Sequence, residues 1–343
     1  MRAIRTVIGP KPEILAVVKA NAYGHGSLAV AGAIREDVAY FGVACVEEAR
    51  PLRSLGRDIL LLSPCLPEEY AEAVEAGDIV TVSSAREAAA YAALGPCRVN
   101  LKIDTGMGRL GCAVESAPGE LAAIAGMSGV EIHSISSHLP VSDEDPSFTT
   151  AQLKEIGALR ELMQPLAPRA RWHVLNSAGI FLHSDSAMDV VRSGLAVYGS
   201  ASPPGFQDKL VPAMKWKARV LLVKTLAAGS GVSYGRTFVA PHEMRVASVS
   251  AGYADGYPRQ VSGRGASVLI HGHRCRILGR VTMDQIIVDV GDMAVEAGDD
   301  VVLMGRDGEE EIPAAELAAW GGTIAWHIFT GISNRVARHY IAG

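Results

Sequence analysis

The 343-residue sequence predicts a (β/α)8 TIM-like barrel followed by a mostly-β C-terminal domain. Three observations predict it. Short apolar runs recur eight times within the first two hundred residues. Ala- and Glu-rich stretches with helical spacing lie between them. After "LVPAMKWKARV" the helical stretches give way to β-branched runs cut by Gly, Asp and Pro.

The runs come in order as "ILAVVKA" (14–20), "YFGVACV" (40–46), "DILLLSP" (58–64) and "DIVTVSS" (78–84), then "RVNLKID" (98–104), "VEIHSISSH" (130–138), "RWHVLNS" (171–177) and "MDVVRSG" (188–194). Strands buried on both faces read as continuous apolar runs, and strands that alternate with helices pair in parallel. The intervening "SLAVAGAIRE", "PEEYAEAVEAG", "SAREAAAYAALG" and "TTAQLKEIGALRELM" supply the helices. Eight such units close a barrel; an open doubly wound sheet is the alternative. Further on, "WKARVLLVKTLAAG", "MRVASVSAG", "ASVLIHGHRCRILGRV", "QIIVDVG" and "DDVVLMG" read as strands of a second domain, with one late helix at "PAAELAAWGG". The boundary is expected near Pro212, giving a barrel over 1–212 and a β-domain over 213–343.

Composition narrows the function. The chain is 49% hydrophobic and 20% charged with a net charge of −5, as in a globular enzyme. No basic stripe exists to meet nucleic-acid phosphates. No run approaches the roughly 18 apolar residues that span a bilayer. "MRAIRTVIGPKPE" has no apolar core of a signal peptide, so a cytoplasmic location is expected. Five scattered cysteines without a C-x-x-C argue for reduced thiols and against a zinc site or any other metal.

The chemistry begins at "AVVKANAYGHG" (16–26), where an apolar run ends in Lys19. Barrel enzymes place their sites at the C-terminal ends of the strands. An ammonium there must reach water, pair with an acid, or lose its charge by a covalent bond. A desolvated lysine suits Schiff-base formation with a carbonyl cofactor. From spacing alone, an ion pair with a neighbouring acid stays open.

"VVKANAYGHG" resembles the pyridoxal-phosphate signature of the alanine racemase family. "LKIDTGMGRLG" (101–111), "SSH" (136–138), "NSAG" (176–179), "VRSGLAVYG" (191–199), "GVSYGRTF" (231–238), "AGYADGYPR" (251–259) and "GRVTMDQ" (279–285) are similar to the same family, in the same order. The resemblance implies the same barrel-plus-β-domain architecture. It also implies that Lys19 holds pyridoxal 5'-phosphate, with Tyr23, Ser177 and the amides of Gly194 and Leu195 on its phosphate. Arg192 would face the pyridine nitrogen. As an always-charged donor it would leave that nitrogen unprotonated and the ring a weaker electron sink. Arg109 would hold the cofactor's phenolic oxygen and the substrate carboxylate in a bidentate fork.

Racemisation needs a proton removed from one face of Cα and one delivered to the other, which two bases do most simply. The resemblance assigns Lys19 and Tyr234. A phenol of ordinary pKa, about 10, is a poor base at neutral pH and needs cationic neighbours; His138 and Arg192 match the family's candidates. Tyr234 comes from the other subunit in the family, so a homodimer with shared sites is implied. Tyr253 and Met283 match the substrate entrance, with Asp284 behind them. Lys102 matches a lysine carbamylated in some members, against the plainer reading of a Lys102–Asp104 surface pair. Two departures stand out: the chain starts partway into the helix that follows the family's first strand, and Asn334 in "GISNRVAR" stands where many members have a tyrosine.

Alanine is the expected substrate, with D-alanine destined for peptidoglycan. The alternatives are a broader racemase acting on serine or other amino acids, a related decarboxylase, and a non-catalytic pyridoxal-phosphate carrier. The carrier type is a barrel alone, and the second domain argues against it.

Overall fold

A computed structural model describes every residue of the chain except Pro204, Ala342 and Gly343. The chain divides into two compact units, one comprising Met1–Ala22 with Gly26–Val211, the other Tyr23–His25 with Pro212–Gly343.

The first unit is the predicted barrel. Its strands are β1 (Glu13–Val17), β2 (Tyr40–Val43), β3 (Asp58–Leu61), β4 (Ile79–Val82), β5 (Cys97–Asp104), β6 (Val130–Ser136), β7 (Arg171–His173) and β8 (Val190–Ser193). Each pairs in parallel with the next from β1 to β7, and β8 pairs with β1. Asp189 N–H donates to Trp172 O (3.1 Å) and Arg192 N–H to Leu175 O (2.9 Å), joining β8 to β7 and bringing the ring nearly to closure. The open-sheet alternative is thereby set aside. Strands such as "EILAV" and "IVTV" are buried on both faces because helices cover the ring, which is why they read as unbroken apolar runs. All eight runs contain a strand, and several continue past it: the residues just beyond Val17, Val43 and Leu61 lie at the C-terminal mouth.

The second unit is antiparallel. Trp216–Leu226 pairs with both Met244–Val249 and Asp300–Asp307, so with Ile286–Asp289, His273–Leu278 and Ser267–Ile270 the six strands close on themselves. A two-stranded hairpin, Gly231–Val232 with Phe238–Val239, packs Val232 and Phe238 against Met244, Val246 and Leu278. Burying a valine of this kind stabilises by about 1.5–3 kcal/mol, enough to fix the base of the hairpin. Helices Ala314–Gly321 and Ala325–Gly331 follow the last strands.

Candidate active site

The β1 run ends at Val17, and Val18 N–H still donates to Gly42 O at 2.9 Å. Beyond Lys19 the chain makes a left-handed turn on non-glycine residues: Ala20, Asn21, Ala22 and Tyr23 have φ between 50° and 54°. Each such residue costs about 1–2 kcal/mol, so the turn stores about 4–8 kcal/mol. The surroundings over-determine it. Ala22 N–H donates to Val18 O (2.8 Å), Gly26 N–H to Asn21 O (2.9 Å), Ala20 N–H to Glu48 Oε1 (2.7 Å) and Ser27 N–H to Asn21 Oδ1 (2.8 Å). Strain of this kind concentrates where a side chain must be presented in one direction. Lys19 has no ion pair or hydrogen bond of its side chain among the described residues. Burial, then the charge of Arg109, lowers its pKa against the opposing pull of Glu48. Of the three fates open to this lysine, pairing with an acid is not the one observed.

Arg192, on β8 and 6% exposed, is held from five directions. Nη1 donates to His173 O and Nδ1, both at 2.7 Å; Nη2 donates to Ser137 O (2.6 Å), Val174 O (3.0 Å) and His138 Nδ1 (3.2 Å). A guanidinium only donates, so both imidazoles accept through Nδ1, which assigns their protons to Nε2. The Nε–H of Arg192 takes no part in these bonds. Burial, then Arg192, Lys102, Arg109 and Lys19, pushes His138 down to about 2. Burial, then Arg192, does the same in direction to His173. Burial and the neighbouring cations thus disfavour a charge on His138, and the guanidinium of Arg192, drawn down by burial to about 10, is the stronger source of positive charge here. His173 was missing from the sequence candidates; an imidazole inside the apolar "RWHVLNS" was its signal.

Lys102 and Arg109 flank a caged carboxylate. Asp104 accepts from the N–H groups of Gly106 (2.9 Å), Met107 (2.8 Å) and Gly108 (3.1 Å) through Oδ1, and of Arg109 (3.0 Å) through Oδ2. The cage lowers its pKa despite burial. A Cβ at Gly111 would come within 2.6 Å of Asp104 N, so the loop closes only on glycine. With Asp104 so engaged, no Lys102–Asp104 ion pair forms among the described residues. Lys102 is pushed well down by burial first, then by Arg192 and Arg109. The Arg109 guanidinium makes no hydrogen bond among the described residues.

Ser177 Oγ accepts the N–H of Gly194 (2.9 Å) and of Ala196 (3.3 Å), so a hydroxyl and the loop amides around Leu195 converge at the end of β8. Asn176 caps the Ser177–Leu182 helix through Gly179 N–H (2.9 Å).

In the second unit, Tyr234 is 72% exposed at the hairpin tip. Ser233 before it has φ 62° and ψ −174°, a conformation costing about 1–3 kcal/mol, and its Oγ donates to Arg280 O at 2.6 Å. Tyr253 and Met283 are 42% and 52% exposed on touching loops, with Tyr253 N–H on Thr282 O and Ala254 N–H on Met283 O, both 3.0 Å. Asp284 bonds Arg335 at 2.9 Å. Asn334 is exposed in the adjoining turn. Tyr23 also belongs to this unit and is 8% exposed; burial raises its pKa to about 12, against the pull of its bond with Trp326.

The first unit thus brings Lys19, Lys102, Arg109, His138 and Arg192 into one electrostatic cluster, with the Ser177, Gly194 and Leu195 group on the adjoining loop. The second unit gathers Tyr234, Tyr253, Met283 and Asp284 on exposed loops. Three residues outside the sequence candidates support them: Glu48 under the Lys19 turn, His173 on Arg192, and Arg335 on Asp284.

Two family models match the chain: the alanine racemase N-terminal domain over residues 1–202 and the alanine racemase C-terminal domain over 213–340. A protein of Symbiobacterium thermophilum named alanine racemase is 42% identical, over 99% of this chain and 93% of its own length. The crystal structure of alanine racemase from a D-cycloserine-producing Streptomyces lavendulae is 37% identical with a TM-score of 0.91, covering 100% of this chain and 94% of that one. The alanine racemase of Bacillus anthracis with bound L-Ala-P is 31% identical with a TM-score of 0.86, covering 98% and 92%.

Proposed function

The chain belongs to the alanine racemase family, and from that premise we propose that it interconverts L- and D-alanine with pyridoxal 5'-phosphate, using Lys19 and the Tyr234 of a second copy as its two bases. The observation that carries the reading is Lys19: an amine with lowered pKa and, among the described residues, no ion pair or hydrogen bond, at the C-terminal end of a barrel strand on a strained turn.

The residues fit the cofactor. Among the described residues, neither the Arg109 guanidinium nor the Arg192 Nε–H has a hydrogen-bond partner of its own, and Arg109 lies close enough to Lys19 to act on its charge. Phosphate, phenolate and carboxylate are all anions, and the cluster is cationic. Lys19 would hold the aldehyde carbon. Ser177 with the Gly194 and Leu195 amides, and Tyr23 on the Lys19 turn, would hold the phosphate. Arg192 would meet the ring nitrogen. The bound group supplies an electron sink that acidifies the substrate Cα–H.

The chain's own groups do the rest. Arg109 and the Met283 N–H orient the substrate carboxylate, and Tyr253 narrows the approach. Lys19, freed once substrate is bound, accepts or returns a proton at Nζ on one face. Tyr234 does so at its phenolic oxygen on the other. His138 keeps Nδ1 on Arg192 and so offers its Nε2–H toward that phenolate, with the Arg192 charge behind it. The exposure of Tyr234, Tyr253 and Met283 supports their facing a second subunit in a homodimer. Lys102, whose charge is disfavoured by burial first and then by Arg192 and Arg109, suits carbamylation: the product is an anion where the surrounding charge is positive, and it would fix Arg109. D-alanine made in the cytoplasm would feed peptidoglycan.

Circular dichroism time courses on pyridoxal-loaded protein test the reading. The L-alanine signal should decay to zero, faster than that of L-serine. Persistence of both signals would overturn it; faster decay with L-serine would establish the broader racemase instead.

A further inference from the structure

Tyr253 and Met283 sit on loops that touch through their backbones. A Cβ at Gly252 would clash with the Met283 carbonyl, so the loops are as close as two chains can be. Two backbone hydrogen bonds, Tyr253 N–H to Thr282 O and Ala254 N–H to Met283 O, join the loops at this point. Arg335 ties them a second time, through side chains. Its Nε bonds Asp255 Oδ1 and its Nη2 bonds Asp284 Oδ1, each at 2.9 Å, so one planar guanidinium spans an acid from each loop. Asp255 is the inner arm, its side chain 13% exposed, and its other oxygen accepts the Gly252 N–H at 2.8 Å. Arg335 is anchored in turn. Ser333 N–H donates to Asp255 O at 3.0 Å, and Arg338 binds the carbonyls of Ile332 (2.8 Å), Ser333 (2.6 Å) and Val336 (2.6 Å), stiffening the segment that carries it.

We propose that Arg335 is a positioning residue that sets substrate selection by locking the Tyr253 and Met283 loops in one register. The proposal rests on the racemase reading above, because it gives those loops the substrate entrance. A half-exposed ion pair contributes little to folding. Its effect is expected in alignment. Lysine is a point donor and cannot meet both acids in the plane of a fork.

The test uses the pyridoxal-loaded protein, with KM and kcat for L-alanine and L-2-aminobutyrate and melting temperature read together. For Arg335→Gln we expect KM for L-alanine to rise about fivefold with kcat changed less than about twofold, and the preference for alanine to fall about fivefold. Arg335→Lys should recover part of this. Asp284→Asn opens the same fork from the solvent side and serves if Arg335→Gln does not fold. The double variant should resemble either single one, because both break one link; independent effects would multiply to about 25-fold. In protein labelled at the methionine methyls, the Met283 signal, assigned with Met283→Leu, should shift and broaden in Arg335→Gln. That reading needs no turnover, so it stands even if the wild type fails to racemise alanine, a result that would strike the functional reading alone. An unmoved Met283 signal, unchanged KM and selectivity, or multiplying effects would each overturn the proposal, whatever the melting temperature does.

Discussion

Lowering the pH from 7.5 to 5.5 should destabilise the barrel unit by about 4 kcal/mol, before most carboxylates titrate. Three imidazoles are responsible. His138 is pushed down to about 2 and His173 well below its usual range, chiefly by burial and then by Arg192. His133, edge-on to the Tyr40 ring at 5.3 Å, is pushed down to about 4 by burial, then by Arg171 and Arg98. All three resist protonation in the folded barrel, whereas the unfolded chain protonates near pH 6.5. The unfolded state therefore binds more protons below that pH, and stability, complete above about pH 7, falls as the pH drops. At pH 5.5 each histidine favours unfolding by about 1.4 kcal/mol, a large total against the usual margin of about 5–15 kcal/mol. Urea titrations followed by fluorescence of Trp172, buried on β7, read this directly. His133→Leu should remove about a third of the loss. A midpoint that stays constant between pH 7.5 and 5.5 would refute the neutral cluster, and with it the assignment of the Nε2 protons.

Tyr234→Phe should abolish loss of the α-hydrogen of L-alanine into deuterated water while leaving that of D-alanine, read by proton NMR; equal residual exchange from both would count against the two-base assignment. Gly24→Ala should cost several kcal/mol, seen as a lowered melting temperature, because Gly24 has φ 78° and its new Cβ would clash with the Phe329 carbonyl; an unchanged melting temperature would contradict that packing.

The legible parts of the fold were those set by burial. Parallel strands covered on both faces are rich in apolar residues, so all eight barrel strands stood out in the sequence. Their ends were blurred: "VVKA" and "VACV" run on past Val17 and Val43 because the loop residues there pack too. The left-handed turn at Ala20–Tyr23 was not legible, since three of its four residues disfavour positive φ and the contacts that hold it, among them those of Glu48, Val18 and Asn21, form in the fold. The Asp104 cage could have been found: an aspartate two residues ahead of a Gly-x-Gly, as in "DTGMG", is a turn signal in itself. His173 and Arg335 act through other side chains, on Arg192 and on two distant acids, and those pairings exist only in three dimensions. The motif that was clearest, "VVKANAYGHG", carries both the lysine and the strain.

The most direct test of the account is reduction of the pyridoxal-loaded protein with borohydride, followed by peptide mass mapping. The account predicts one stable pyridoxyl-phosphate mass on the peptide containing Lys19, and none on it in Lys19→Ala. Cofactor mass on another lysine, or on none, would contradict it.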